Sequence, residues 1–447
     1  MSLYEKLLER AEVGHPITIG LVGAGQMGTG LVSQVAGLPW FDVAGIADID
    51  LDRARAAYRL AGVPDAEVEV VDDLPQAERA RAAGVRIVTR SAELLAQVPG
   101  SEVIVEATGA PEVGAIVAEA AIQGGHHVVM LNVEADVTVG RALKRMADAA
   151  GVVYSTSAGD EYAPAKELVE FARILGFTVV CAGKGKNNPL DRTATPETVA
   201  ERAAQLGTNP WMLASFVDGT KTAVEMTCLA NATGLVPDVR GMHGPQASVQ
   251  DLPRLFRPRE DGGILSRTGV VDYAIGVAPG VFCVIESDNE VVAREMRYLG
   301  MGEGPYWVLF RPYHLTSLET AISVATAAIY HEATIAPGPK PVGEAIAVAK
   351  RDLKAGERLD KMGGWTYYAL AERADVAAAE DLLPAGLAEG CVLTADVPMG
   401  EPIHRSAVEP NEGTRLYQLR RLQEAQDAAS SAPLSAAIIP EGAGRHG

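Results

Sequence analysis

The run Ile17-Thr-Ile-Gly-Leu-Val22, followed at once by Gly23-Ala-Gly25-Gln26-Met27-Gly28, constrains this chain more than any other segment. A short apolar run of this kind reads as a buried strand. The G-x-G-x-x-G spacing then makes a tight turn into a helix. Further apolar runs follow (FDVAGIADID, VRIVT, SEVIVEATG, HHVVMLNV, VVYSTSAG), separated by helical patterns that include about residues 110–123 and a helix through Ala149. Alternation of this kind predicts an α/β fold: a Rossmann-type, doubly wound parallel sheet over residues 1–155, with helices on both faces.

The glycine turn predicts dinucleotide binding. Gly23 allows the turn, Gly25 lets a diphosphate approach the backbone, and Gly28 lets helix and strand pack closely. Gln26 and Met27 open the helix, whose N-terminal amides suit an anion. Asp48 lies about twenty residues beyond Gly28, where a carboxylate meets the adenosine ribose of NAD. Arg53 and Arg55 follow it and would suit the 2′-phosphate of NADP, so both cofactors stay open. Thr108 and Gly109 end another strand, and Asn132 and Glu134 end the next; strand ends of such a sheet line the cofactor crevice.

Beyond the sheet, residues 156–340 read as an α+β catalytic and oligomerisation domain. A helix to Leu175 and a strand GFTVVCAG lead into a basic loop, KGKNNPLDR. Residues 196–235 look helical, and 237–263 look like a long loop. GVVDYAIGV, GVFCVIES and PYWVLFRPYHL look like antiparallel strands, and LETAISVATAAIYHEATI like a buried helix. The linker APGPKP ends that helix, since proline cannot continue it. Residues 341–410 form a small, turn-rich β unit. Residues 411–447 hold a charged helix (413–428) and a tail expected to be weakly ordered.

Composition narrows the partners. The 39 basic against 58 acidic residues give a net charge of −19, which disfavours nucleic acid and anionic membrane surfaces. The four cysteines form no CxxC pair, and no apolar run is long enough to span a bilayer. A cytoplasmic enzyme acting on a small molecule, as a homo-oligomer, is expected.

Hydride transfer to a carbonyl needs a proton source and oxyanion stabilisation. On a continuous helix Asp218, Lys221 and Glu225 would share one face. Lys221 is then the expected proton donor or oxyanion partner, oriented by Asp218 and kept charged by the flanking acids. Lys184, Lys186, Asn187 and Asn188 concentrate donors suited to an anionic substrate group. Arg311, His314 and Ser317 would complete that anion site, with a buried, satisfied histidine as the alternative for His314.

VGAGQMG, VEATG and VVMLNVEAD, then AGDE and KGKNNPLDR, resemble the homoserine-dehydrogenase-like oxidoreductases. FVDGTKTAVEMTCLANATGL and RPYHLTSLET resemble the branch that carries a C-terminal SAF domain, which includes deoxyxylulose-phosphate-reductoisomerase-like enzymes. AVAKRDLKAGERLD and LLPAGLAEGCVLTADVPMGEPI resemble SAF domains themselves. The resemblance covers most of residues 15–410. It implies an NAD(P)-dependent reductase or reductoisomerase acting on a small polyhydroxy carbonyl compound, expected to be phosphorylated, with an acid and a lysine near Lys221. The lysine that homoserine dehydrogenases carry after the asparagine of an A-N-K motif is absent here (Asn132-Val133-Glu134), which argues against homoserine itself. A reductoisomerase polarises a ketone and its neighbouring hydroxyl, so Mg²⁺ or Mn²⁺ at Asp160 and Glu161 is a further expectation. Three alternatives are a homoserine-dehydrogenase-like dehydrogenase, a non-redox lyase or epimerase that uses NAD transiently, and a dinucleotide-binding sensor or assembly protein.

Overall fold

The computed structural model describes residues 1–431. The expected weakly ordered tail lies outside the described residues, apart from its first positions. Seven strands form a wholly parallel sheet: β1 (Ile17–Val22), β2 (Phe41–Ala47), β3 (Val68–Val70), β4 (Arg86–Thr89), β5 (Val103–Glu106), β6 (His127–Met130) and β7 (Tyr154–Thr156). Their order is β3-β4-β2-β1-β5-β6-β7. The chain reverses its winding between β1 and β5, whose final residues Val22 and Glu106 sit side by side. A crevice at such a switch point, outside the carboxyl ends of the strands, is where sheets of this kind hold ligands.

One face of this sheet packs Ile19, Leu21, Val103 and Val105 against Leu31, Val35 and Tyr58. The distant helix Thr320–Tyr330 joins that face through Val324 and Ala325. The other face packs Ile104, Val128 and Met130 under the helices Pro111–Gln123 and Val133–Ala150. Those two helices are covered in turn by the helix Arg415–Ser431, through Leu416 and Leu419. Arg141 meets Asp427 at 2.9 Å, and Arg420 is paired with Glu344.

A second sheet has the order β12-β11-β8-β10-β9, from β8 (Thr178–Lys186), β9 (Val236–Pro237), β10 (Val270–Ile275), β11 (Val281–Glu286) and β12 (Tyr306–Arg311). The three later long strands were expected to be antiparallel. β11 is antiparallel to both β8 and β12, but β10 runs parallel to β8. The chain leaves β8, forms three helices and a long loop, and returns on the same side, which is a crossover connection. The link from β10 to β11 then passes over β8. A side chain at Gly185 would stand 2.2 Å from the Ala278 amide nitrogen, so only glycine fits beneath that link.

Residues 196–235 contain three helices: Ala200–Leu206, Pro210–Val217 and Thr220–Thr233. Gly219, at φ +85°, breaks the last two apart. The C-terminal unit pairs β13 (Gly343–Ala349) with β14 (Tyr367–Arg373), antiparallel. Its buried Lys350 reaches out of the unit to Asp218 at 2.8 Å and also donates to the Ala194 and Gly364 carbonyls, both at 2.7 Å. No helix among the described residues is long and apolar enough to cross a membrane.

Two tests follow from this packing. Lys350→Met leaves the Asp218 carboxylate buried and unpaired, so urea unfolding should show a loss of about 3–5 kcal/mol. The double variant Lys350→Met, Asp218→Leu should recover much of that loss. At the start of β6 in the first sheet, burial, then the neighbouring His331 and His126, lower the His127 pKa from its usual value to about 4. Its contribution to stability is therefore whole above about pH 6.5 and is lost as pH falls from there towards 4. His127→Gln should lose less stability than the parent over that window, read by denaturant titration at each pH.

Candidate active site

The glycine turn is built by contacts that admit no side chains. A Cβ on Gly23 would lie 2.9 Å from the Ala107 carbonyl, and one on Gly28 would lie 2.0 Å from the Gly23 oxygen. Gly25 differs, because a Cβ there meets nothing within 4 Å. Gly25 caps the helix Gln26–Val35 with no side-chain hydrogen bond. The first-turn amides, Gln26 and Met27 among them, therefore remain for an anion. These features fit a dinucleotide diphosphate.

Asp48 is buried beside this turn. Its carboxylate accepts from the Ala24 amide at 2.8 Å and from the Asp50 amide at 2.9 Å. Arg53 stands 3.8 Å away and is half exposed. An ionised carboxylate has further lone pairs for ribose hydroxyls. Across the switch point, Thr108 donates its amide to Glu106 at 2.8 Å, and its hydroxyl bonds the same oxygen. Gly109 takes a left-handed turn at φ +68°. Asn132 is fully buried and works as a pin. It caps the helix Val133–Ala150 through the Ala135 amide (3.1 Å) and donates to the Ala110 carbonyl (2.9 Å).

Where the two sheets meet, charged side chains from five segments converge. Lys221 lies 3.2 Å from Glu134 and 4.0 Å from Glu225. Lys184 lies 2.8 Å from Glu161 and is also bonded to Glu225. His314 approaches Glu161 at 3.5 Å, and its Nδ1 lies 2.9 Å from the Gly159 carbonyl oxygen. The buried Oδ2 of Asp160, in the field of Lys221 and Lys184, has no hydrogen-bond partner. Four carboxylates here face two ammonium groups and one imidazole, so protons are retained. Burial, outweighing the pull of Lys221, raises Asp160 to about 7. Burial and then Glu161 push Glu225 upward. Burial works against ionisation of Glu161 too, but Lys184 and His314 outweigh it and hold it low. Burial likewise opposes the charge on Lys221, yet Glu134, Glu225 and Asp160 raise its pKa.

Several expectations need correction. Asp218 does not orient Lys221. The left-handed Gly219 ends the helical face between them, and Asp218 instead accepts from Lys350 and from the Thr220 amide. Lys184 and Lys186 are not on a solvated loop. They belong to β8 and are buried, because the strand runs on through the glycines. Lys184 is charge-paired with Glu161 and bonded to Glu225. Lys186 donates to the Phe216 carbonyl, and burial and then Lys184 lower its pKa to about 8. Asn187 is exposed, while Asn188 accepts from Arg202 at 2.6 Å. Arg311 does not join Lys184. It is held by Glu167 at 3.1 Å and Glu319 at 2.7 Å. Ser317 packs against Gly30 of the cofactor helix, where an added Cβ would be 2.8 Å from its hydroxyl.

The expected Mg²⁺ or Mn²⁺ site fits poorly. A cation at Asp160 and Glu161 would meet the ammonium groups of Lys184 and Lys221. No group of three or more His, Cys, Asp or Glu is arranged for a metal among the described residues.

Residues 23–156 match the family described as homoserine dehydrogenase, NAD binding domain, and residues 159–320 match that described as oxidoreductase DRL, catalytic domain. No curated protein matches the chain. Among solved structures, it is similar to a probable dehydrogenase from Thermotoga maritima (12% identity, 71% of this chain and 90% of that one, TM-score 0.41). It is also similar to a UDP-N-acetylglucosamine 3-dehydrogenase from Acidithiobacillus ferrooxidans (12%, 72% and 92%, TM-score 0.39). A third is scyllo-inositol dehydrogenase from Lactobacillus casei, with bound NAD(H) and scyllo-inositol (14%, 66% and 76%, TM-score 0.37). The chain is an NAD(P)-dependent oxidoreductase with an NAD-binding domain.

Gly25→Val separates folding from cofactor binding. The open space around Gly25 predicts an unchanged melting temperature. The added branch should obstruct the diphosphate and weaken NAD by about tenfold or more, about 1.4 kcal/mol, in a fluorescence titration.

Proposed function

We propose that this enzyme moves a hydride between NAD(P) and the carbonyl or hydroxyl carbon of a small polyhydroxy compound, with Lys221 handling the proton. The observation that carries the reading is the position of Lys221. Its ammonium is held by Glu134, which begins the helix after β6, beside the carboxyl edge of the cofactor sheet. A bound nicotinamide supplies the hydride. In the reducing direction the ammonium of Lys221 stabilises the developing oxyanion and gives it a proton, and the Glu225 carboxyl 4.0 Å away returns one to the amine. In the oxidising direction the same protons move the other way.

The unpartnered oxygen of Asp160 supports a substrate with two neighbouring oxygens. Lys221 takes the reacting oxygen, and Asp160 takes the hydroxyl beside it. This is the arrangement an α-hydroxy carbonyl needs, whether or not isomerisation accompanies reduction. A phosphate on the substrate loses its main support, since Lys184 is already paired with two carboxylates. Lys186 and the exposed Asn187 remain as donors for a weaker anion. The SAF-like C-terminal unit supports the site from outside: its Lys350 fixes Asp218, which starts the turn into the Lys221 helix. NAD is favoured over NADP, because the buried Asp48 carboxylate repels a 2′-phosphate and Arg53 already leans towards it.

Lys221→Ala should lower turnover by about 10²-fold or more while leaving NAD affinity within about twofold. The assay is a screen of four- and five-carbon hydroxy-ketones with NADH, followed at the nicotinamide absorbance. Near-normal turnover in the variant would overturn the assignment.

A further inference from the structure

The carboxyl of Glu106 is used by none of the steps above. It stands at the last residue of β5, beside the last residue of β1, directly at the switch point. Asp48, on the far side of β1, marks the adenosine half of the crevice, so β5 lies under the nicotinamide half. Glu106 is wholly buried. One oxygen is bonded by Thr108, and the other, Oε2, has no partner at all. A buried carboxyl in this state is costly as an anion unless a positive charge arrives. Asn132 and Thr108 offer dipoles, Glu134 of the helix Val133–Ala150 is acidic, and Tyr154 of β7 is bonded to Asp136 at 2.9 Å.

We propose that Glu106 reads the charge of the nicotinamide, releasing its proton when the oxidised cofactor binds and taking one up when the cofactor is reduced. The balance is simple. Oxidised nicotinamide carries one positive charge, which an ionised Glu106 compensates. Hydride arrival removes that charge, and a proton from solvent then neutralises the carboxylate. The consequence is a pH-dependent preference between the two cofactor forms, set by a residue that does not touch the substrate. Burial, only partly offset by the Thr108 hydrogen bonds, raises Glu106 to about 7, so the switch falls within the working range of pH. The carboxyl of Asp136, raised by burial to about 6, accepts from the Tyr154 hydroxyl at 2.9 Å.

The test needs only the full chain, NAD⁺ and NADH. Dissociation constants are measured by fluorescence and calorimetry at about pH 6 and about pH 8.5, either side of the expected titration. In the parent, NAD⁺ should gain on NADH by about threefold or more over this interval. Calorimetry in two buffers of different ionisation enthalpy should show proton release on binding NAD⁺ near pH 7 and none on binding NADH. Glu106→Gln, of the same shape, should abolish both effects. Thr108→Val, which removes the hydroxyl that favours the ionised form, should move the midpoint upward. A flat ratio in the parent, or a slope that survives in Glu106→Gln, overturns the proposal. These readouts involve no substrate, so they stand or fall separately from the role of Lys221.

Discussion

Two lysines among four carboxylates, Lys184 buried and Lys221 half-buried, hold the working part of this molecule together. Glu134 comes from the first sheet's helix layer, Asp160 and Glu161 from the loop after β7, Lys184 from the second sheet, and Lys221 and Glu225 from the helix between. Removing the buried Lys184 would leave Glu161 charged with little water to replace the ammonium, where desolvation costs exceed what a surface pair could return. The network links the helix layer of the first sheet, the second sheet and the helix that carries Lys221. Burial is the main reason that the Asp160 and Glu225 carboxyls are raised, and the neighbouring acids add to it.

The first sheet was legible in the sequence because its signals are local. Apolar runs, a glycine turn and strand-end acids each report on a few neighbouring residues, and a fully parallel sheet requires near-continuous apolar strands. Lys221 and Glu225 could be grouped for the same reason, being one helical turn apart. Asp218 could not be placed correctly. Whether Gly219 continues a helix or breaks it depends on φ, which composition does not reveal, and its true partner Lys350 belongs to a distant unit. Lys184 and Lys186 read as loop donors for an anionic substrate group; their burial follows from β8 being central in a sheet whose other strands are far away in sequence. Glu106 left a signal, an acid closing an otherwise apolar strand, but in the sequence it was indistinguishable from a simple strand end.

The division of labour between the glycines is also physical. Gly23 and Gly28 are required by backbone contacts inside the protein, whereas a Cβ at Gly25 would meet nothing within 4 Å. Gly185 belongs to the first kind, since it allows one link to pass over another strand.

The helix Arg415–Ser431 has a consequence for how the chain is made. Its Leu416 and Leu419 close the outer surface of the helices Pro111–Gln123 and Val133–Ala150. During synthesis, the nucleotide-binding half leaves the ribosome well before that cover exists. Its outer apolar seat stays open to water until residues 415–431 have emerged and docked.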